Sequence, residues 1–454
     1  MKKTLLILII LVGFATRALA YDFVSGNLLY TILSTDPPCV SVAGHVDGSN
    51  AQGELVIPET VEFEGMAYTV TEIGNEAFRL CTQLTGDLVI PNTVVYIKYK
   101  AFTNSGFSGT LTLPDGLREI GGGAFASSHL TGQLLLPNTL TKIGYNAFTG
   151  CHFTGDLLIP DSVTEIGETA FSYCTFDGQL TIGHSVQSIG LRAFYECSSL
   201  TGDLVIPESV EEIGSYAFYK CSNLNGSLTF LSSHLTVIED MTFGWCGGFT
   251  GSLVLPENVT EIGWQAFAFC GFTGDLVIPN SVVRIYEAAF AYCTGLSGLT
   301  IGAAVERIDY NAFASIPLEY IKLHVETPPS LHYLTFSNVP KDIPVYVPYG
   351  TLEMYRNAEY WNEFTNIIED GSLSVNNNES GDFQAVCYPN PTKDLLKING
   401  FNPIVVQVFN PFGQLVKTVQ NTNEISLEGL PQGVYLLRVS MKDGKVFSEK
   451  VVKN

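Results

Sequence analysis

Cysteines, carboxylates and aromatic rings are the side chains of this sequence that could carry chemistry, and each type recurs at a fixed interval. Eight of the ten cysteines are Cys81, Cys151, Cys174, Cys197, Cys221, Cys246, Cys270 and Cys293; from Cys151 onward the gaps are 23, 23, 24, 25, 24 and 23 residues. A disulfide framework has no reason to keep such a period. Coils stacked in register place their cysteines about 4.8 Å apart with parallel Cα–Cβ bonds, so the Cβ atoms stay too far apart for a sulfur bridge. We expect buried free thiols that pack as small apolar groups.

Carboxylates recur at two places. Asp87, Asp156, Asp203 and Asp275 each follow a Thr-Gly pair, and Glu165, Glu212 and Glu261 each precede a repeated Ile. Paired carboxylates can hydrolyse glycosides and a column of them can hold calcium. A catalytic pair needs one site with two unlike environments, which a repeat does not offer. A solvated acidic face is the expected reading. The seven histidines fall at unrelated repeat positions, and no P-loop, zinc-protease or serine-hydrolase motif occurs. We therefore expect no catalytic residue, no cofactor site and no metal site.

The aromatic residues form the third set. Aligning the chain on its Ala-Phe pairs places Phe at 78, 102, 125, 148, 171, 194, 218, 243, 267, 290 and 313, with Thr242 in place of Ala before Phe243. Tyr173, Trp245, Phe269 and Tyr292 stand two residues after that Phe, Tyr195 and Tyr219 one after, and Tyr99, Tyr145, Trp264 and Tyr310 three before. None is a core position of the repeat. Stacked on adjacent coils, Tyr173, Tyr195, Tyr219, Trp245, Phe269 and Tyr292 are the candidate ligand surface, a stripe suited to proteins or sugars. The alternative is that they pack over coil edges.

These residues are held by eleven units of 23 to 25 residues. Five residues before every repeat Phe stands an Ile, and three after it a Cys in eight units. Self-similarity at this period predicts a solenoid. In each unit Leu-x-Ile reads as a short strand ended by Pro, which has no N–H to donate. The Ile five before the Phe starts a second strand, the Gly after it permits a turn, and the Ala-Phe segment is expected to be one helical or 3₁₀ turn. Representative core residues are Ile166, Phe171, Cys174, Ile189, Phe194, Cys197, Ile213, Phe218 and Cys221. One coil cannot bury its apolar side alone, so stacking must supply the stability, at roughly 1.5–3 kcal/mol per large side chain.

The pattern L-x-I-P-x-S-V-x-x-I-G-x-x-A-F-x-x-C resembles the BspA-like leucine-rich repeats of bacterial surface proteins. The expected fold class is thus β-rich: a leucine-rich repeat solenoid of about eleven coils over 56–320, with a β cap at 21–55 and a closing cap at 321–370. The segment 343–369 resembles the one that often ends such arrays in Bacteroidetes proteins; Tyr355, Trp361 and Phe364 should cover the last coil while Glu353, Arg356, Glu359 and Glu363 face water. By analogy the resemblance implies a non-enzymatic binding or adhesion scaffold for host proteins, glycans or other cells; glycan capture for nutrient uptake is the alternative.

Residues 1–20 read as a secretory leader: Lys2 and Lys3, an apolar stretch from Leu5 to Phe14, and Ala18-Leu19-Ala20 as cleavage site. A polar linker is expected at 371–385. Beyond it, 386–454 carries eight basic and five acidic residues, so all the acidity lies in 21–385, which carries −28 against −22 for the whole chain. Such a surface repels phosphate backbones, and nucleic acid is not an expected partner. No other run of 18 apolar residues follows the leader, so no transmembrane segment is expected in the mature chain. Strands expected at 395–398, 405–409, 434–439 and 445–451, with turns at Phe412-Gly413 and Pro431-Gln432-Gly433, make a small β-sandwich. Tyr388-Pro389-Asn390-Pro391-Thr392, Asn410-x-x-Gly413 and Leu430-Pro431-x-Gly433-Val434-Tyr435 resemble the type A sorting domain of type IX secretion. That resemblance implies the type IX machinery as a partner and a secreted or cell-surface location.

Overall fold

The computed structural model describes residues 21–373, 387–388, 392–398, 403–410, 415–441 and 446–453. The expected leader, most of the expected linker and the Phe412-Gly413 turn lie outside the described residues.

Two-residue strands built on the repeated Ile, such as Glu165–Ile166, Ser188–Ile189 and Glu212–Ile213, pair in parallel with Ile opposite Ile. The Leu-x-Ile segments pair in the same sense, as Leu204–Ile206 does with Leu228–Phe230. Period-2 alternation points Leu204 and Ile206 inward and leaves Val205 outward. The product is one continuous core running the length of the array, with Ile166, Phe171, Ile189, Phe194 and Phe218 essentially without solvent contact.

The repeat Phe rings stack from coil to coil. Centroid separations stay between 5.2 Å (Phe78 to Phe102) and 5.6 Å (Phe290 to Phe313), with interplanar angles of 2° to 13°. The column continues past the eleventh unit: Phe336 stacks on Phe313 at 5.5 Å, and Ser330–Leu331 pairs with Arg307–Ile308. Coil geometry thus extends into the segment expected as cap. Leu331, Thr335 and Val339 stand where other units carry Ile, Ala and Cys, which hides this coil from the repeat pattern.

Two local expectations are corrected. The Ala-Phe segment is not a helical turn; it is a hydrogen-bonded turn bracketed by left-handed residues two before and two after the Phe. Around Phe171 these are Thr169 (φ 53°) and Tyr173 (φ 59°), and around Phe194 they are Arg192 (φ 55°) and Glu196 (φ 54°). The glycine after the repeated Ile is not there for its backbone angle. A Cβ on Gly214 would lie 2.5 Å from the Leu191 nitrogen of the preceding coil, so Gly is needed for close approach.

The thiols are free and inward, with a partner that composition does not reveal. Each Sγ from Cys151 to Cys293 donates to the carbonyl of the repeat Phe in the preceding coil: Cys174 to Phe148 at 3.0 Å, Cys197 to Phe171 at 2.9 Å, Cys221 to Phe194 at 3.2 Å. Burial pushes the Cys151, Cys197, Cys246 and Cys293 thiols up to about 12.

Both ends are closed. Strands Leu28–Thr35 and Pro38–His45 form an antiparallel pair, and the second runs parallel to Met66–Ile73, so the first cap is continuous with the array sheet. At the other end a short helix, Leu352–Asn357, brings Tyr355 onto the Val325 carbonyl (2.7 Å), and the Trp361 indole N–H donates to Pro329 O (2.9 Å). Glu353, Arg356, Glu359 and Glu363 face solvent. The tail folds around its own core, including Leu396, Val406, Val408, Leu437 and Val439. Its four-stranded sheet runs Leu415–Gln420, Pro403–Phe409, Gly433–Met441, Val446–Lys453, beside a three-stranded one of Cys387–Tyr388, Leu395–Ile398 and Glu424–Ser426. Leu415–Gln420 and Glu424–Ser426 were not expected as strands. No helix among the described residues is long and apolar enough to cross a membrane.

Candidate binding surface

The turn after each repeat Phe lies at the edge of the coil, and stacking brings its side chains into file. All six aromatics singled out by spacing meet there. Tyr173 touches Tyr195 at a centroid distance of 5.3 Å, Tyr195 touches Tyr219 at 5.2 Å, and Tyr219 touches Trp245 at 5.4 Å. Trp245 continues to Phe269 at 4.6 Å and Phe269 to Tyr292 at 4.5 Å. The rings one residue out of phase, Tyr195 and Tyr219, fall in line with the others. Tyr173, Phe269 and Tyr292 are exposed and the middle three half-buried.

Three members of this surface were missed by spacing. Tyr216 packs edge-on to Tyr219 at 5.7 Å, and the Arg192 guanidinium lies over both Tyr195 (5.6 Å) and Tyr216 (5.1 Å). Lys220 lies over Tyr219 and pairs with Glu196 at 3.1 Å. Arg192 and Tyr216 both sit at the left-handed position before the Phe, a shared register that could have flagged them. Burial, aided by Glu196, pushes the Tyr195 phenol up to about 12. The aromatics three before the Phe do not join the ladder. Tyr99 and Tyr145 pair at 6.2 Å, and Tyr310 packs on His332 and Tyr333.

The backbone beneath the ladder is unusual. Tyr173, Trp245, Phe269 and Tyr292 all hold φ between 58° and 62°. Left-handed backbone costs an L-residue roughly 1–2 kcal/mol, least for Gly and Asn. Other coils place Asn104, Ser127, Gly150 and Ser315 at the same position. The fold therefore does not require large rings there.

The carboxylates are engaged in holding coils together. Asp87 accepts from the Thr110 N–H (2.6 Å) and hydroxyl (2.9 Å). Asp203 accepts from the Ser227 N–H (2.6 Å) and hydroxyl (2.8 Å), and Asp156 from the Gln179 N–H (2.8 Å). Asp275 accepts from the Tyr320 hydroxyl at 2.6 Å. These bonds hold the Asp87 carboxyl below its ordinary range. All four are exposed, so the column is a solvated acidic face, and each Asp is at the same time a link to a later coil. Glu212 and Glu261 accept from Ser188 and Tyr286 hydroxyls. Among the described residues no group of three or more His, Cys, Asp or Glu side chains is placed to hold a metal ion.

Comparison with known proteins places this geometry. The model of the BspA type leucine-rich repeat region matches in overlapping blocks from residue 60 to residue 341, and that of the secretion system C-terminal sorting domain matches 386–454. Solved structures similar to the chain include a leucine-rich repeat protein from Bacteroides ovatus (22% identity, 77% of this chain and 100% of that one, TM-score 0.37). A leucine-rich cell surface protein from Faecalibacterium prausnitzii is 19% identical over 77% of this chain and 96% of its own, with a TM-score of 0.43. The pneumococcal vaccine antigen PcpA is 20% identical over 76% and 98%, also at 0.43. No curated protein matches the chain. The sorting domain marks the chain for type IX export, to the cell surface or beyond it. With the repeat model matching well over half its length, the chain belongs to the BspA-type leucine-rich repeat family of surface proteins.

Proposed function

We propose that the chain is a non-enzymatic surface scaffold that binds a large extracellular partner through the ladder from Tyr173 to Tyr292. The observation that carries this reading is a continuous file of six rings, four of them (Tyr173, Trp245, Phe269 and Tyr292) on left-handed backbone where Gly or Asn costs less. Rings kept on strained backbone in a partly exposed file point to use outside the fold.

The ladder favours a polypeptide over a glycan. Sugars stack on open ring faces, and here the faces of Trp245 and Phe269 are taken by their neighbours, at interplanar angles of 24° and 8°. Rings stacked on one another leave mainly edges free, and tyrosines among them add hydroxyls, an amphipathic surface of the kind enriched at protein interfaces. Arg192 and Lys220 add donors along one side. The acidic array favours neutral or basic partners over sulfated or phosphorylated ones. Glycan capture for nutrient uptake is the weaker reading for the same geometric reason.

Parallel probing of an extracellular-protein array and a glycan array with the full chain tests this. Binding should appear on the protein array, and Trp245→Ala should weaken it by about 1–3 kcal/mol while the melting temperature stays nearly constant. A strong drop in melting temperature with binding intact would show the ladder to be packing.

A further inference from the structure

A second face of the solenoid is occupied by the chain's own tail. In the strand Gly433–Met441, Tyr435, Leu437 and Val439 point into the tail core, so Arg438 stands on the outer side of its sheet. An outward arginine of a small sandwich belongs in water. Arg438 is only 6% exposed, because the array covers it. Its guanidinium donates to Phe230 O at 3.0 Å and to Val254 O at 3.4 Å, both in the array. Desolvation lowers its pKa to about 10, so it stays charged at neutral pH, with Glu257 opposing the shift.

The acceptor has a cause in the repeat. In the preceding coil the Leu231 N–H donates to Ile206 O. The residue that would serve Phe230 O in the same way is Pro256, which has no N–H. Pro256 thus leaves an array carbonyl open, and Arg438 fills it. Around this anchor the outward column of the Leu-x-Ile strands mixes Val, Leu and Thr: Val89, Leu135 and Leu158 are exposed, whereas Val205 and Val254 are half-buried and Thr229 is buried. Leu415 and Val416 of the tail line a groove of about 290 Å³ together with Thr181, Val205 and Leu231 of the array.

We infer that the outward column around Val205, Thr229 and Val254 is a docking face for the tail's four-stranded sheet, with Arg438 on the Phe230 carbonyl as its latch. The export signal therefore doubles as a cover. While the tail is latched this face is closed, and a chain whose tail is released presents a second surface, on a different column of the coil from the aromatic ladder.

The test uses the full chain with a reporter cysteine at Val205→Cys, labelled by a maleimide and read by mass spectrometry on the peptide that contains it. Leu158→Cys, on the same column and exposed, is the control. Val205→Cys should label slowly and Leu158→Cys fast. Adding Arg438→Ala should speed labelling at 205 by about tenfold or more, as expected for losing charge-assisted bonds, without changing 158. Pro256→Ala supplies the missing N–H, competes with Arg438 and should also speed labelling at 205, with the tail sequence untouched. Equal labelling of the two sites in the parent chain, or slow labelling at 205 in both latch variants, would overturn the latch.

Discussion

Two aromatic columns climb this solenoid one beside the other, and they obey different rules. The inner one is all Phe, with its rings within 13° of parallel over its whole length. The outer one mixes Tyr, Trp and Phe, and its neighbouring rings tilt by anything from 8° to 68°. The coil rise sets the spacing of both. Only burial sets composition and angle, because a close-packed interior accepts one ring in one pose. Where solvent borders the file, the fold accepts many side chains, so large strained ones call for another reason.

The widest gap between the columns should appear on truncation. Phe194→Ala leaves a hole between two coils and Ile189→Asp buries an unpaired charge; each should cost about 3–5 kcal/mol in denaturant unfolding. Glu208→Ala, on the exposed side, should stay within about 0.5 kcal/mol. Comparable losses in all three would abolish the inward and outward assignment.

Protonation should separate the columns next. The folded Cys151, Cys197, Cys246 and Cys293 thiols are raised from an ordinary 9.0 to about 12. Their contribution to stability is complete below pH 9. It is lost as pH rises from 9 toward 12, since only the unfolded chain then gives up these protons, at about 1.4 kcal/mol per thiol per pH unit. Melting temperature should fall steeply above pH 9, and paired Cys→Ala variants should flatten that slope. A flat profile to pH 11 would place the thiols in water.

The links between coils come third. Asp203→Ala frees the Ser227 N–H and should cost about 0.5–1.5 kcal/mol, with millimolar calcium leaving the melting temperature of the parent chain unchanged. A calcium-dependent rise would make the Asp column a cation site after all.

The smallest expected change is in the outer column. Phe269→Gly loses stacking on Trp245 and Tyr292 but relieves left-handed strain, and the two nearly cancel, leaving about 1 kcal/mol or less. Binding should fall while stability holds; a loss of several kcal/mol would turn the ladder into core.

What was legible was whatever repeats. Ile189, Phe194 and Cys197 announce their inward positions by recurrence alone, and Tyr355 and Trp361 announce the cap by being large and apolar beyond the last Ala-Phe pair. The left-handed pairs stayed hidden because Gly or Asn marks them in only some coils, while Arg192, Tyr173 and Trp245 give no such sign. The twelfth Phe was lost because Leu331, Thr335 and Val339 together replace the unit's Ile, Ala and Cys. The Asp203 link, the thiol-to-carbonyl bonds and the Arg438 latch depend on which coil or sheet lies opposite, and one chain read end to end does not contain that pairing.

The thiol-to-carbonyl bonds also impose an order of events. An exported chain enters an oxidising setting with ten cysteines. A Cys197 already seated on Phe171 O is beyond reach of an oxidant, whereas a Cys in a coil awaiting its neighbour is not. Stacking and oxidation are thus in a race, decided coil by coil. Oxidised glutathione present during refolding should trap coils in mixed disulfides and lower the yield of native array. The same reagent added after folding should leave the buried column reduced. The repeat thereby selects for fast closure as well as for a stable end state.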